Sequence, residues 1–438
     1  MNYKLKIPSD VQYIINVLIE NGYEGYMVGG CVRDLLINRE PNDYDITTNA
    51  KPEIVARLFD KVILTGLKHG TVTVIINKVQ YEVTTYREDG EYKDSRHPEN
   101  VKFVTDIKND LSRRDFTINA MAYNKEKGLI DYFDGLSDLK NKVIRTVGNP
   151  EKRFTEDSLR MLRAVRFAVQ LDFKIEESII QSIKILNNNL EFISKERIRE
   201  EFNKIILKDP KGLKLLHECS ILKYIADDLD KAYDYYINDK IKCYNLYEHL
   251  ILSSCNIKKD VSLRLTMLFH DLGKLKDWNN KLEKVDNIFI ESACMAEKIL
   301  RSLKYDNGTI KKVKTLITYM HSDLEDKVSI KKLLNIIDVE LFEDLIKVKK
   351  AHIMSENIEE VKSLNIEKLY CDILEKNECF RIRDMKINGE DIIKIGVKKG
   401  KDVGTMLNYL LCKVIEDNNL NYKKKLLELA EDKLSMNI

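Results

Sequence analysis

The feature that most constrains this chain is a change of hydrophobic period about a third of the way along it. Strand-type signals are confined to the first third: Tyr26-Met27-Val28, the alternating Thr71-Val72-Thr73-Val74-Ile75-Ile76, and Tyr81-Glu82-Val83-Thr84-Thr85-Tyr86 after a short Asn77-Lys78 turn. The last two read as a β-hairpin. From about Thr155 onward apolar residues recur at three and four, as in Leu159, Leu162, Val165 and Val169, and the rest reads as helix. With only 6 Pro and 17 Gly in 438 residues, long helices are favoured over a turn-rich all-β fold. The length suits about two to four domains of roughly 100 to 200 residues each. Their best boundaries are Asn187-Asn188-Asn189, the Lys208-Asp209-Pro210 break and the charged run from Glu356 to Glu367.

Charge and cysteine usage exclude several classes. Lys and Arg number 73 against 71 Asp and Glu, a net charge of +2, so no global positive field advertises nucleic acid and any such surface has to be local. A hydrophobic fraction of 44% with 33% charged residues excludes wholesale disorder. The cysteines, Cys31, Cys219, Cys243, Cys255, Cys294, Cys371, Cys379 and Cys412, form no CxxC pair, which argues against a disulfide framework or zinc ribbon. The N-terminal segment lacks an apolar signal region, and no run of about 18 apolar residues occurs. A soluble cytoplasmic protein without membrane contact is expected.

Three segments carry chemistry in the strand-bearing part. Gly29-Gly30-Cys31-Val32-Arg33-Asp34 follows an expected strand and opens a helical segment. Glycines there expose backbone N–H groups to a phosphate, with Arg33 adding charge, although a tight turn would use the same residues. Asp43-Tyr44-Asp45 follows; on a strand, positions i and i+2 put both carboxylates on one face. Such hard oxygen donors suit Mg²⁺ beside substrate phosphates, while a lone pair of this kind also marks solvated turns. Glu82 on the hairpin either brings a third carboxylate to the same metal or faces solvent. The segment Leu111 to Ala122 then sets Arg113 and Arg114 beside Asp115 and Asn119. Arginine forks bind phosphate oxygens and a nearby Asp or Asn can hold a ribose hydroxyl; an internal Arg–Asp network would need the same residues.

Taken in order, GGCVRD from Gly29, DYD from Asp43, YEVTTYREDG from Tyr81, RRDFTINAMA from Arg113, YFDGLSDL from Tyr132 and EDSLRMLRAVRFAVQL from Glu156 resemble the bacterial tRNA nucleotidyltransferase and poly(A) polymerase family, class II of the CCA-adding enzymes. The resemblance runs from about Gly25 through Phe202, with Lys195-Glu196-Arg197-Ile198 as the last head-and-neck motif. It reappears at Ile387-Asn388-Gly389-Glu390-Asp391 and at Gly396, Gly400 and Gly404. It implies an α+β fold: a polymerase-beta-like nucleotidyltransferase head with a small mixed sheet over 1–144, then an all-α neck that reads the base over 145–210, an HD-like body over 211–365 and a tail that holds tRNA over 366–438. It also implies CTP, ATP and the tRNA 3′ end as partners, with no obligate protein partner. Asp43 and Asp45 would hold two Mg²⁺, with Glu82 as third catalytic carboxylate, to activate the RNA 3′ hydroxyl and stabilise the leaving pyrophosphate. Gly29, Gly30, Arg33, Arg113, Arg114, Asp115 and Asn119 would bind the nucleotide.

The segment Thr155-Glu156-Asp157-Ser158-Leu159-Arg160 can be read further from its residues. Thr155 is expected as an N-cap, with Glu156 and Asp157 at the positive helix start and Arg160 one turn on. Cytosine and adenine each present an exocyclic amine beside a ring-nitrogen acceptor, whereas uracil and guanine carry a ring N–H there. A carboxylate beside a guanidinium complements the first pair and repels the second. In the family this Glu-Asp-x-x-Arg motif is the protein template for CTP and ATP. Asp157 and Arg160 would then read the base, with Glu156 orienting Arg160; capping acids with a salt bridge are the plainer alternative. Arg163 and Arg166 extend the stripe toward phosphates or toward solvent.

Further on, His249 and His270-Asp271-Leu272-Gly273-Lys274 resemble an HD domain, whose His and Asp residues bind a divalent metal for phosphohydrolase chemistry. Such donors suit a transition ion such as Mn²⁺ or Ni²⁺. The chain departs from that pattern at Ile288-Phe289-Ile290-Glu291-Ser292-Ala293, which has no histidine where related chains place one, although His321 survives. A helical body without hydrolase activity is therefore expected. His69, His97, His217 and His352 have no ligand spacing. In the tail, Gly396, Gly400 and Gly404 beside Lys398, Lys399 and Lys401 would either let an RNA backbone approach or pack helices together. Residues 381–438 hold 12 basic and 9 acidic side chains, less basic than poly(A) polymerase tails, and YREDGEYKDSRHPEN from Tyr86 is longer than in CC-adding relatives. Both features favour full CCA addition over a CC-adding, A-adding or poly(A) enzyme. The Asp pair argues against an HD-type phosphohydrolase with a binding-only head.

Overall fold

The hairpin read from Thr71 to Tyr86 lies within a seven-stranded mixed sheet. In the computed structural model, which describes residues 3–67, 70–90, 101–238, 243–279, 288–356 and 361–435, its strands are β1 (Gly25–Val28), β2 (Asp45–Thr48), β3 (Val62–Gly66), β4 (Thr71–Ile76) and β5 (Val79–Thr85). A separate ribbon, β6 (Arg87–Asp89) and β7 (Val101–Phe103), precedes β8 (Met121–Asn124) and β9 (Gly128–Asp131), which rejoin the sheet. The order is β3-β4-β5-β2-β1-β8-β9. All neighbours are antiparallel except β2 and β5, which run parallel. The β4–β5 turn puts Asn77 and Lys78 at φ 51 and 68, the left-handed pair of a two-residue hairpin whose twist matches its strands.

Helices α1 (Ser9–Glu20), α2 (Gly30–Leu36), α3 (Pro52–Leu58), α4 (Ile107–Ser112) and α5 (Gly135–Asn141) accompany the sheet. The three-and-four spacing of Val11, Ile14, Ile15 and Leu18 gives α1 one buried stripe. Four more helices follow: α6 (Pro150–Glu156), α7 (Leu159–Leu171), α8 (Glu177–Leu186) and α9 (Lys195–Lys208), with α6 against α8 and α7 against α9.

One expected helix start is displaced. Thr155 is no N-cap: its hydroxyl bonds back to the Glu151 carbonyl at 2.8 Å from within the last turn of α6. Asn149-Pro150 is the stronger signal, because the Asn149 side chain accepts the Lys152 N–H at 3.0 Å and proline is pre-set for the first helical position. The helix breaks at Asp157 (φ −144, ψ 103), and its carboxylate accepts the Leu159 N–H at 3.1 Å as α7 begins. The helical part also holds short strands that periodicity did not announce: β10 (Val143–Ile144) pairs with β11 (Lys174–Ile175), and Tyr236–Asn238 with Cys243–Asn245.

The chain divides into two compact units, Met1–Asp230 and Lys231–Ile438. The first contains the sheet and α1–α9. Two hydrophobic clusters lie in the second among the described residues. One runs from Ile257 to Phe380 and takes Tyr370 and Ile373 from the helix Val361–Glu375; the other runs from Cys379 to Ala430 across the tail helices. No described helix is long and apolar enough to cross a membrane.

Phe167 on α7 joins several elements of the first unit. It is 5% exposed, meets Phe116 edge-on at 5.6 Å, and lies under the guanidiniums of Arg33, Arg163 and Arg166 at 5.2, 5.3 and 4.0 Å. Replacing Phe167 with Ala is expected to destabilise this unit by about 3–5 kcal/mol, read as a lowered urea midpoint by circular dichroism. A loss below about 1 kcal/mol would show that the ring is not a packing centre.

Candidate active site

The parallel register of β2 and β5 sets Ile46 opposite Val83, so Asp45 and Glu82 occupy the preceding rung and share a face. Ile46 and Val83 are fully buried on the other face, which leaves the two carboxylates directed away from that core. Asp43 lies just before β2 and not on it, yet its charge acts on Asp45. Burial pushes the Asp45 carboxyl up, Arg114 draws it back, and Asp43 and Glu82 push it up again, to about 6. Among the described residues no hydrogen bond or ion pair engages the side chains of Asp43, Asp45 or Glu82. Three carboxylates with unspent lone pairs and mutual repulsion fit a divalent, oxygen-seeking ion such as Mg²⁺.

Gly29 ends β1 and precedes α2 at φ 80, where a Cβ would sit 3.1 Å from Nη1 of Arg114 and 3.9 Å from Oδ2 of Asp45. Glycine thus permits both the left-handed turn and the approach of Arg114 to the carboxylates. Gly30 begins α2. Arg33 is not directed at open space: it is buried, donates from Nη1 to Asn119 Oδ1 at 2.7 Å and pairs with Asp34 at 2.8 Å. Asn119 passes the contact to Asp115 at 3.2 Å. Burial opposes ionisation of Asp115, but the Arg163 guanidinium, bonded at 2.5 and 2.8 Å, holds its carboxyl well below the usual range. Arg113 and Arg114 both pair with the buried Asp110, at 2.7 and 3.4 Å. The internal Arg–Asp network therefore exists, and Arg114 extends from it toward Asp45.

Glu156, Asp157 and Arg160 come together as their spacing anticipates. Glu156 Oε2 receives Arg160 at 2.7 Å and also Arg153 at 2.7 Å. Arg160 donates further to the carbonyls of Arg153 and Arg113, at 3.1 and 3.2 Å, so its plane is fixed by three acceptors. A polar cavity of about 160 Å³ beside this group is lined by Glu88, Asn109, Ser112, Arg113, Lys152, Arg153 and Glu156. Arg163 and Arg166 each engage a carboxylate, and only Arg163 keeps about a third of its side chain (33%) exposed. The first pairs with Asp115 and the second, 8% exposed, with Glu201 at 2.5 Å. Two partners have no role assigned from sequence: Arg153, three residues before Glu156, and Arg197, named only within the Lys195–Ile198 motif, which pairs with Asp157 at 2.9 Å from forty residues away. The first was legible as an i,i+3 ion pair; the second needed the packing of α7 on α9.

In the second unit, His249 and His270 approach at 3.1 Å, and Asp271 lies 3.5 and 3.6 Å from them while paired with Lys274. His352, set aside on spacing, joins them: one ring nitrogen from each of His249, His270 and His352 lies within 4.8 Å of the others. Burial lowers His249 to about 4 and His270 to about 3, so these imidazoles are neutral and can act as donors. At the segment lacking the expected histidine, Phe289 stacks on His321 with centroids 3.8 Å apart. A cavity of about 430 Å³, lined in part by His321, Lys349 and His352, lies here. His217 is a separate pair with Asp230 at 2.7 Å. His69, His97 and residues 91–100 of the long loop lie outside the described residues.

Gly396 and Gly400 take φ 100 and 110, and a Cβ at either, or at Gly404, would meet nothing within 4 Å. Close packing of helices through these glycines is thus excluded; the first two serve the backbone, Gly400 just before the helix Lys401–Glu416.

Family models match three stretches: the Poly A polymerase head domain at residues 25–145, the Probable RNA and SrmB- binding site of polymerase A at 172–233, and tRNA nucleotidyltransferase domain 2 at 288–430. The CCA-adding enzyme of Ligilactobacillus salivarius is 38% identical over 424 residues, covering 95% of both chains. That of Pediococcus pentosaceus is 34% identical over 421 residues, 95% of this chain and 96% of the relative. The crystal structure of the Bacillus stearothermophilus CCA-adding enzyme in complex with CTP superposes with a TM-score of 0.73 at 27% identity, over 97% of both chains. With its motifs, its fold and nearly its whole length shared with these proteins, the chain belongs to the CCA-adding enzyme family.

Proposed function

We infer that this protein adds CMP, CMP and AMP to the 3′ end of tRNA from CTP and ATP, without a nucleic-acid template. The observation that carries the reading is that the three unspent carboxylates occur in the same unit as a fixed carboxylate–guanidinium pair. The first set suits nucleotidyl transfer and the second suits cytosine and adenine.

Asp43 and Asp45 would hold the divalent ions, with Glu82 beside them on β5. Bound there, such ions supply activation of the 3′ hydroxyl and neutralise charge on the leaving pyrophosphate. The chain's own residues do the rest. The Gly29 turn admits Arg114 next to Asp45, where its charge favours the ionised, ligating form of that carboxylate and meets triphosphate oxygens. Asp157 accepts from the exocyclic amine and Arg160 donates to the ring nitrogen, while Glu156 and two carbonyls keep Arg160 from turning.

In the body, His249, His270 and Asp271 have the donor chemistry of a transition-ion site. The apolar Phe289 stacked on His321, where a further donor is expected, argues against phosphohydrolase activity.

Asp43→Ala or Asp45→Ala is expected to abolish incorporation of CMP and AMP by several powers of ten, each worth about 1.4 kcal/mol of barrier, with tRNA binding retained. A mutant keeping more than about a tenth of the wild-type rate would remove that residue from catalysis. His270→Ala combined with Asp271→Ala should leave nucleotide addition within about threefold of wild type, a single-turnover measurement. Hydrolysis of a phosphomonoester or 2′,3′-cyclic phosphate by the wild type with Mn²⁺ or Ni²⁺, lost in this double mutant, would contradict the inactive-body reading. Asp157→Ala should collapse the CTP:UTP preference by about 10²-fold or more, since a site built to pair with polar groups rejects a mismatch strongly. Arg160→Ala should instead depress CTP and ATP use together. Unchanged CTP:UTP and ATP:GTP ratios in Asp157→Ala would make this segment a cap and not a template.

A further inference from the structure

Three helices of the second unit bring one imidazole each to a common point. His249 lies on the helix Leu246–Cys255, His270 directly follows the helix Val261–Phe269, and His352 lies on the helix Val339–Glu356, which packs on both. His249 and His270 are buried, and their Nε2 atoms stand 3.1 Å apart. Nitrogens held about 2.1 Å from one ion stand roughly 3.0 to 3.4 Å from each other. The His270 ring is set for that use. Its Nδ1 lies 2.8 Å from the Met267 carbonyl, which can only accept, so Nδ1 carries the proton and the Nε2 lone pair faces His249. Beside them Asp271 is fully buried, with Oδ2 paired to Lys274 and Oδ1 without a hydrogen-bond partner among the described residues. An orphaned carboxylate oxygen next to an imidazole lone pair is costly in a dry interior, and a cation satisfies both.

We propose that His352 is the third ligand of a transition-ion site at this point, with His249 and His270 as the other two and Asp271 supplying the compensating charge. This rests on reading His249, His270 and Asp271 as donors to such an ion. One nitrogen from each of the three rings lies within 4.8 Å of the others, so small side-chain shifts let a single ion reach all three. The cavity of about 430 Å³ is lined in part by His352 and gives the ion a way in. His321 stays outside the set, its ring stacked on Phe289. The donors fix the class of ion. Three imidazoles favour Zn²⁺, Co²⁺ or Ni²⁺, whereas a carboxylate in the third place would suit Mn²⁺ or Mg²⁺. Bound there, the ion would tie three helices of the unit together.

The test is titration of the full chain, stripped with a chelator and dialysed, with Co²⁺ alone, followed by visible absorption and calorimetry. The proteins compared are wild type, His352→Ala, His352→Asp, His249→Ala and, as a control away from the cluster, His217→Ala. Thermal melts without metal would confirm folding, with His352→Gln as substitute should the alanine variant not fold. The wild type should bind one Co²⁺ per chain and gain roughly 5 °C in melting temperature at about a hundredfold excess over Kd. His352→Ala should weaken binding about 10²-fold or more, since even an outer partner of a ligand is worth about 10- to 100-fold. His352→Asp should lower the preference for Co²⁺ over Mn²⁺ by about tenfold or more. His217→Ala should bind as wild type does. Wild-type affinity in His352→Ala, while His249→Ala loses it, would overturn the proposal and leave the donor reading intact. An unchanged preference between Co²⁺ and Mn²⁺ in His352→Asp would also overturn it. Wild-type affinity in His249→Ala, or no stoichiometric binding by the wild type, would instead remove the donor reading on which the proposal rests.

Discussion

The first unit is organised around an unfavourable interaction. Asp43, Asp45 and Glu82 are brought together by the register of two parallel strands and by the residue just ahead of one of them, with no hydrogen-bonding partner among the described residues. Folding tolerates like charges at such range only when something else holds the strands in place. Here that is the buried Ile46, Val72, Val74 and Val83 beneath the sheet and the Phe116–Phe167 contact between the head and α7. A divalent cation bound there would relieve the repulsion, so binding energy that the fold does not consume would remain for the proposed metal and triphosphate.

The opposite rule governs the residues proposed to read the base. Arg160, Glu156 and Arg153 form a closed set of ion pairs and carbonyl contacts, Asp157 is held by Arg197, and Asp115 by Arg163 and Asn119. A template of protein side chains has to reject a wrong base by geometry, since one misplaced donor would suit uracil as well as cytosine. Rotating these groups would cost their existing bonds. On the proposed reading, carboxylates left unpaired and selecting residues fully paired would answer two tasks, one needing affinity and the other rigidity.

Much of this was legible in the chain. The change of period at about Thr155 separated sheet from helices, and the Asn77-Lys78 turn marked the hairpin in its observed register. The Asp43-Tyr44-Asp45 spacing marked two carboxylates that act on each other, although only Asp45 is on a strand. Local ion pairs such as Glu156–Arg160 follow from helical spacing. What escaped was long-range or competitive. Thr155 loses the helix start to Asn149-Pro150 because a stronger cap lies upstream. Arg33 reads as a phosphate ligand and Arg166 as part of a basic stripe, yet the fold buries the first against Asp34 and Asn119 and the second against Glu201, and only Asp34 is a neighbour in sequence. Nothing local to His352, or to Arg197 within its motif, names the partner, since each partner lies elsewhere in the chain.

The measurement that tests the account most directly is extension of a tRNA lacking its 3′ end, with Mg²⁺ and CTP or ATP singly and together, resolved at single nucleotides on a sequencing gel. The account predicts two additions with CTP alone, none with ATP alone, and a single product three nucleotides longer with both. A ladder of many additions with ATP alone, or arrest after two nucleotides when both are present, would contradict it.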